Sequence, residues 1–259
     1  MKLTVLAAGI LALSLPTFAD PLDPLIEAYE THIMAADPDE AARAAGAAPT
    51  GWGRVRPRDV AARAETARAL LDEIEAADTS RAVDAAILKR LLADDLRADE
   101  LDTARIPFTG DWGFQAAPVF AALRLRIRSE DDAAAWVQRL NDVPRYFAEN
   151  RINMARGITT GWTANKDPLA TARQQIEAQI VEDPARSDLY APFLSLPAAI
   201  PAESAARLRA DALAAVSGAV QAYRDTARFI DLAYAPAARE RAGIAGLPGG
   251  REAYASSVR

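Results

Sequence analysis

Residues 81–102 read RAVDAAILKRLLADDLRADELD and show the clearest helical periodicity in the chain. Apolar side chains recur there at four-residue spacing in two adjacent rows: Val83, Ile87 and Leu91, then Leu88, Leu92 and Leu96. Charged residues occupy the other face. This spacing predicts a long helix whose wide apolar stripe is buried against neighbouring helices.

A second helical pattern precedes this stretch, over residues 58–77, and the short connection at Thr79 and Ser80 predicts an antiparallel helical hairpin. Residues 38–57 contain several Gly and Pro residues and are predicted to form a linker or docking loop. Further helices are predicted over residues 24–36, 117–126, 129–140, 144–157, 167–181 and 202–234, the last ending at Pro236. We therefore expect an all-α fold, a multi-helix array of long antiparallel helices, over residues 20–259.

The composition is that of a globular protein, with 51% hydrophobic and 25% charged residues among 259. A net charge of -6 and a pI near 5.0 argue against nucleic acid as a partner, because phosphate binding needs a concentrated basic surface.

The N-terminus has the pattern of a secretory signal peptide. Lys2 precedes an apolar run over residues 3–15, and the small residues Thr17 and Ala19 fit a signal peptidase site. The apolar run is shorter than the roughly 20 residues that span a bilayer, which disfavours a membrane anchor. We expect residues 1–19 to be removed after Ala19, leaving a periplasmic or secreted protein without a membrane segment.

Residues that carry common chemistries are scarce. The chain has one His and no Cys, so His32 cannot form a His-Glu-x-x-His zinc motif, and no Gly-x-Ser-x-Gly elbow presents a nucleophile. His32 is predicted to be a surface or partly packed side chain. Adjacent carboxylates such as Asp94 and Asp95 point about 100° apart on a helix, so they are interpreted as solvated charges. No catalytic or metal-ligating residue is predicted.

Two glycine-containing loops stand out, residues 110–114 (GDWGF) and residues 247–254 (LPGGREAY). Each has two interpretations. They are loops anchored to the helical core, or they line a substrate pocket, because paired glycines let the backbone approach a ligand closely. The candidate substrate-binding residues are Asp111, Trp112, Gly249, Gly250, Arg251 and Tyr254.

These loops and the segments between them resemble the bacterial domain-of-unknown-function 885 (DUF885) family. The resemblance rests on residues 107–114 (PFTGDWGF), 139–146 (RLNDVPRY), 153–157 (NMARG), 190–193 (YAPF) and 247–250 (LPGG), with Tyr254 and Arg259. The family resembles helical zinc metallopeptidases, which implies a peptide-like substrate and zinc in full-length members. Their presumed His-Glu motif lies beyond the segment that corresponds to residues 247–259.

The resemblance leaves two functional interpretations. In the first, the chain is the N-terminal helical part of an exported peptidase or hydrolase, ends before the catalytic half, and is inactive alone. In the second, it is a self-contained periplasmic binding protein without catalysis. The first also predicts self-association through exposed apolar faces such as Phe229, Ile230 and Leu232.

Overall fold

A computed structural model describes residues 20–257. Most of these residues lie in helices. The protein is 71% helical and no strand forms within the described range, which confirms the all-α fold. The signal peptide prediction falls on residues 1–19, outside the described residues. The helices are α1 Asp23–Ala36, α2 Pro38–Ala44, α3 Pro57–Ala76, α4 Ala82–Glu100, α5 Ala117–Arg124, α6 Glu130–Asn141, α7 Val143–Thr160, α8 Lys166–Ala178, α9 Ala202–Phe229, α10 Ala235–Ala237 and α11 Gly250–Ser257.

Side chains at the helix starts explain several of these boundaries. Ser129 caps α6 by accepting a hydrogen bond from the backbone N–H of Asp132 at 3.1 Å, as predicted. Pro144 lies in the first turn of α7, also as predicted. That helix continues past Gly157 to Thr160, because Gly161 supplies the positive φ of +72° that ends it.

The predicted hairpin of α3 and α4 packs with α1 around a first hydrophobic core. On α4 this core buries Leu88, Leu92 and Leu96, together with Ala85. The prediction of a wide buried stripe was wrong for the adjacent row, since Val83 is 72% exposed and Ile87 is 53% exposed. The helices α1 and α3 cover only one of the two rows that the four-residue spacing creates.

A second, larger core surrounds α9, on which α6, α7 and α8 pack. Its centre is aromatic: the Phe147 ring meets the Tyr223 ring edge-on with centroids 4.7 Å apart, and both side chains are fully buried. The Tyr223 hydroxyl donates to the carbonyl of Gln115 at 2.8 Å, so its polar atom is satisfied inside the core. Burial raises the pKa of Tyr223 well above its usual value.

The end of the last long helix differs from the prediction. The α-helix stops at Phe229 and continues as a wider π turn, Ile230–Tyr234, and the short α10 then ends one residue past Pro236. Ile230 and Tyr234, four residues apart, both face the second core. The expectation that Ile230 is exposed was therefore wrong, and of the three residues named for self-association Leu232 is the clearly exposed one, at 75%.

The region predicted as a linker or docking loop contains a short helix, α2, which the prediction did not include. Asp37 caps it by accepting a hydrogen bond from the N–H of Asp39 at 2.8 Å, and Pro38 occupies the first turn. Residues 52–56 then follow as an extended segment against the second core. Within residues 20–257, none of the helices has the length and apolar composition needed to cross a membrane.

Candidate functional site

The loop around Trp112 folds back on itself and is fixed by two buried phenylalanines. The N–H of Thr109 donates to the carbonyl of Trp112 at 2.7 Å, and a single antiparallel bridge pairs Phe108 with Gly113. Phe108 and Phe114 both belong to the second core. The interpretation of this loop as one anchored by buried aromatics is confirmed for these two residues.

Trp112 itself lies at the surface of this loop. Its side chain is 52% exposed and its ring stacks on that of Phe120, with centroids 4.9 Å apart. Asp111 beside it is exposed as well. Both side chains are therefore accessible, and a substrate-binding role for them stays a prediction.

The paired glycines of the other candidate loop permit close approach to the chain's own backbone. Gly249 has a φ of +67°, and a Cβ at Gly250 would lie 1.8 Å from the carbonyl oxygen of Ile244. The indole N–H of Trp162 donates to the carbonyl of Pro248 at 3.0 Å. This region thus forms a turn packed on the end of α7.

The helix α11 follows this turn directly. Ala253 is buried in a third, small cluster with Trp162 and Leu247, whereas Arg251 and Tyr254 are exposed. Trp112 packs on Phe120 and this turn packs on Trp162, so the two candidate loops have separate packing partners. The six residues predicted to bind substrate therefore lie in two loops with different packing partners, and Gly250 among them is buried.

Sequence reasoning missed a buried polar network on the face of α7. Trp52, at the start of the 52–56 segment, is its first anchor. The N–H of Trp52 donates to a carboxylate oxygen of Asp142 at 2.8 Å, and its indole N–H donates to the carbonyl of Arg139 at 3.0 Å. Arg145 donates to the carbonyl of Trp52 at 2.6 Å. The Trp52 backbone is thereby held by the side chains of Asp142 and Arg145, and its indole is held by a backbone carbonyl of α6.

Val55 is the second anchor of the same segment. Its N–H donates to Oε2 of Glu149 at 3.0 Å, and its carbonyl accepts from the side-chain amide of Asn153 at 2.6 Å. The side chains of α7 replace the pairing that an extended backbone would otherwise find in a sheet. The 52–56 segment is consequently docked, not a free linker.

The residues that hold this segment follow a simple pattern. Arg145, Glu149 and Asn153 are spaced by four residues on one face of α7, and Asp142 directly precedes this helix. The sequence signal for the network was the spacing of these polar residues in a helix that also buries Phe147 and Met154. Without knowledge of the segment that pairs with them, they read as an ordinary solvated face.

Glu149 is the charge centre of the network and is 1% exposed. Its carboxylate accepts from Arg145 at 2.8 Å and lies 3.1 Å from Nε of Arg56. Hydrogen bonds first to Asp142 and then to Glu149 raise the pKa of Arg145, although burial opposes this. The arginines and carboxylates thus neutralise one another, and the network is a structural clamp.

A cavity of about 660 Å³ lies beside this clamp, between the first core and the chain that leads into the second. Its walls come from α1, α3, α4 and residues 102–107. The apolar lining comprises Ile33, Ala36, Val55, Val60, Ala64, Ala67, Ala98, Ala104, Ile106 and Pro107. The polar lining comprises His32, Asp37, Arg63, Asp95, Asp99, Asp102 and Thr103.

His32 lines this cavity and is only 7% exposed, so the prediction of a surface or partly packed side chain was wrong. It lies two helical turns after the buried Leu25, on the face of α1 that packs inward. Its Nε2 is 3.7 Å from a carboxylate oxygen of Asp95, which is beyond hydrogen-bond distance. Within the described part of the chain, no hydrogen bond engages this imidazole.

The cavity does not fit the zinc that the family resemblance implies. A catalytic zinc site takes three protein ligands, commonly His with a carboxylate or thiolate. Among residues 20–257, no group of three or more His, Cys, Asp and Glu side chains has a metal-binding arrangement. The described residues therefore supply shape, charge and hydrogen-bonding groups.

Comparison with known protein families decides the relationship. A family model described as bacterial protein of unknown function (DUF885) matches residues 39–259. The chain belongs to the DUF885 family. The matched region covers the clamp, both candidate loops and the part of the cavity formed by α3, α4 and residues 102–107, whereas α1 with His32 precedes it. No curated protein matches this DUF885 chain.

Proposed function

We propose that this DUF885 chain is an exported protein that binds a peptide-like substrate. In this proposal it forms the substrate-binding helical frame of a metal-dependent peptidase or hydrolase and has no catalysis of its own. The observation that carries the proposal is the cavity between the two cores. The N-terminal export pattern supports a location outside the cytoplasm. Family membership and the resemblance of the family to metallopeptidases support a peptide-like substrate.

The cavity has the properties of a ligand site. Its volume of about 660 Å³ falls within the roughly 300–1,000 Å³ common for small-molecule and cofactor pockets. Mostly apolar walls with a few polar groups, as found here, bury a ligand while orienting it. A peptide side chain with part of its backbone is of suitable size.

The first test is direct binding of peptides to the mature chain. Fluorescein-labelled heptapeptides of mixed sequence should show a higher fluorescence anisotropy when they bind to residues 20–259. Ala98→Phe places a large ring in the cavity wall and should weaken binding. Ala86→Phe, on the same helix and also exposed but outside the cavity, is the matched control and should bind like the wild type.

Two results would contradict this proposal. One is the absence of peptide binding by a folded mature chain. The other is stoichiometric zinc in the purified chain together with chelator-sensitive peptide cleavage, because the chain would then carry its own active site.

One observation favours the alternative, a self-contained periplasmic binding protein. Ile230, expected to be exposed at a missing interface, is packed in the second core together with Tyr234. A monodisperse monomer with one sharp, cooperative thermal transition would support this alternative. Both functions use the same cavity, so the peptide-binding test applies to each.

A further inference from the structure

We infer that the cavity between α1, α3 and α4 selects a long basic side chain, Lys or Arg. The cationic head would lie at Asp95 and His32, and the methylene stem would lie along the apolar wall. This inference rests on the proposed function and names the substrate feature that its cavity recognises.

Three of the four carboxylates that line the cavity already have protein partners. Asp37 is committed to the cap of α2, and the other two are paired with arginines. These pairs are Asp99 with Arg68 at 3.5 Å, and Asp102 with both Arg105 at 3.2 Å and Arg156. The charges of Asp99 and Asp102 are therefore offset by arginines, whereas the Asp37 carboxylate is occupied by a backbone N–H.

Asp95 differs from these three. Among the described residues its ionic neighbour is His32, at 3.7 Å, and no arginine or lysine pairs with it. The one arginine that lines the cavity, Arg63, donates to the backbone carbonyl of Arg54 at 2.8 Å. The carboxylate of Asp95 is thus available to a cation that enters from solvent.

His32 gives an independent reason to expect a donor at this point. The His32 side chain makes no hydrogen bond with the described residues and lines the cavity, so its imidazole is open to a donor that enters there. A neutral imidazole has one acceptor nitrogen, and an ammonium or guanidinium group has several donors. One cationic head could donate to Asp95 and to His32 together.

The apolar wall accounts for the rest of the ligand. Lys and Arg bury their methylene stems along apolar surface while the charge remains at a polar site. The apolar wall of the cavity is formed by Val60, Ala64 and Ala67 of α3 and by Ala98 of α4. Asp95 lines the same cavity. A free metal ion or a short amine would leave this apolar wall uncovered.

The test compares two labelled heptapeptides that differ only at the central residue, Lys against norleucine. The Lys peptide should bind the mature chain about three- to fivefold more tightly, since the carboxylate of Asp95 is about half exposed and charge pairs at such groups are weak. Asp95→Asn should abolish the preference. Asp94→Asn is the matched control, because the neighbouring Asp94 is similarly exposed but pairs with Arg90 at 3.0 Å; it should keep the preference.

The outcomes separate this inference from the proposed function. Equal binding of the two peptides, or a Lys preference that survives Asp95→Asn, would overturn the basic-side-chain site and leave peptide binding intact. Saturation-transfer NMR with n-butylamine tests the opposite case. If n-butylamine binds in an Asp95-dependent way and neither peptide binds, the cation site stands and the peptide-binding function fails.

Discussion

Arg139 of α6 forms a two-bond ion pair with Asp39 of α2, with N–O distances of 2.8 Å and 2.6 Å, across 100 residues of sequence. The guanidinium also lies over the Trp52 ring, 4.0 Å from its centroid. Planar, bidentate pairs of this kind fix orientation as well as distance. The pair thus docks α2 and the 52–56 segment on the second core and fixes one edge of the cavity.

Glu149→Ala should strongly destabilise the protein. The substitution removes one acceptor of the partly buried Arg145 guanidinium and leaves the N–H of Val55 without its acceptor. Arg56 also loses its counter-ion. Breaking a buried pair from one side costs about 3–5 kcal/mol. The free energy of unfolding in urea measures this loss.

Glu130→Ala is the control for that measurement. Glu130 pairs with Arg207 at 2.9 Å, but the two side chains are 40% and 60% exposed, and such pairs contribute less than about 1 kcal/mol. Similar losses for the two variants would show that the clamp around Glu149 does not stabilise the fold.

The periodicity of α4 shows what the sequence could establish about the fold. The helix and its hairpin with α3 follow from local spacing, and the cap at Ser129 follows from local chemistry. Which apolar row of α4 is buried depends on where α1 and α3 lie, and local spacing cannot distinguish the row of Leu88 from the row of Ile87.

The candidate site was less predictable for the same reason. The clamp joins Val55 to Asn153, residues 98 apart in the chain, and neither side is unusual by itself. His32 was interpreted as a surface or partly packed residue because a lone His carries no spacing signal. Asp95 was placed among solvated charges, and its position at the cavity becomes visible only when α1 and α4 are packed.

Gly113→Ala should destabilise the loop that carries Trp112. A Cβ at Gly113 would lie 2.5 Å from Cβ of Phe108 and 2.8 Å from its Cα, which are positions that cannot move without disturbing the second core. Overpacking of this kind costs about 1–3 kcal/mol. Gly110→Ala, in the same loop with open space around the added atom, should leave the thermal midpoint unchanged. Equal midpoints for the two variants would contradict this account of the loop.

The Asp231–Arg173 pair should make part of the stability depend on acid pH. Hydrogen bonds from Arg173, at 2.9 Å and 3.0 Å, lower the pKa of Asp231 below its usual value of 3.8. A carboxyl group with a lowered folded-state pKa stabilises the protein above that usual value, and the contribution is lost as the pH falls through the folded pKa. Asp231→Asn should lower the melting temperature at pH 7 and match the wild type at the lowest pH at which both stay folded.

The size of this effect should be small, because the Asp231 carboxylate is about half exposed and solvent screens the pair to less than about 1 kcal/mol. Added salt at 1 M should shrink the difference between Asp231→Asn and the wild type at pH 7. A difference that persists unchanged at low pH or in high salt would assign it to packing of the π turn and not to the charge.

Export should produce a mature protein that begins at Asp20. The apolar run of residues 3–15 ends shortly before Thr17 and Ala19, and signal peptidase requires small side chains at these two positions. Ala19→Leu should therefore block processing and leave the full-length chain associated with the membrane fraction. Phe18→Leu alters the intervening position, where size is tolerated, and should be processed normally. Intact mass and N-terminal sequencing of the periplasmic fraction check both variants; an unprocessed wild-type chain in the cytoplasm would refute export and remove the setting in which the cavity is proposed to meet its peptide.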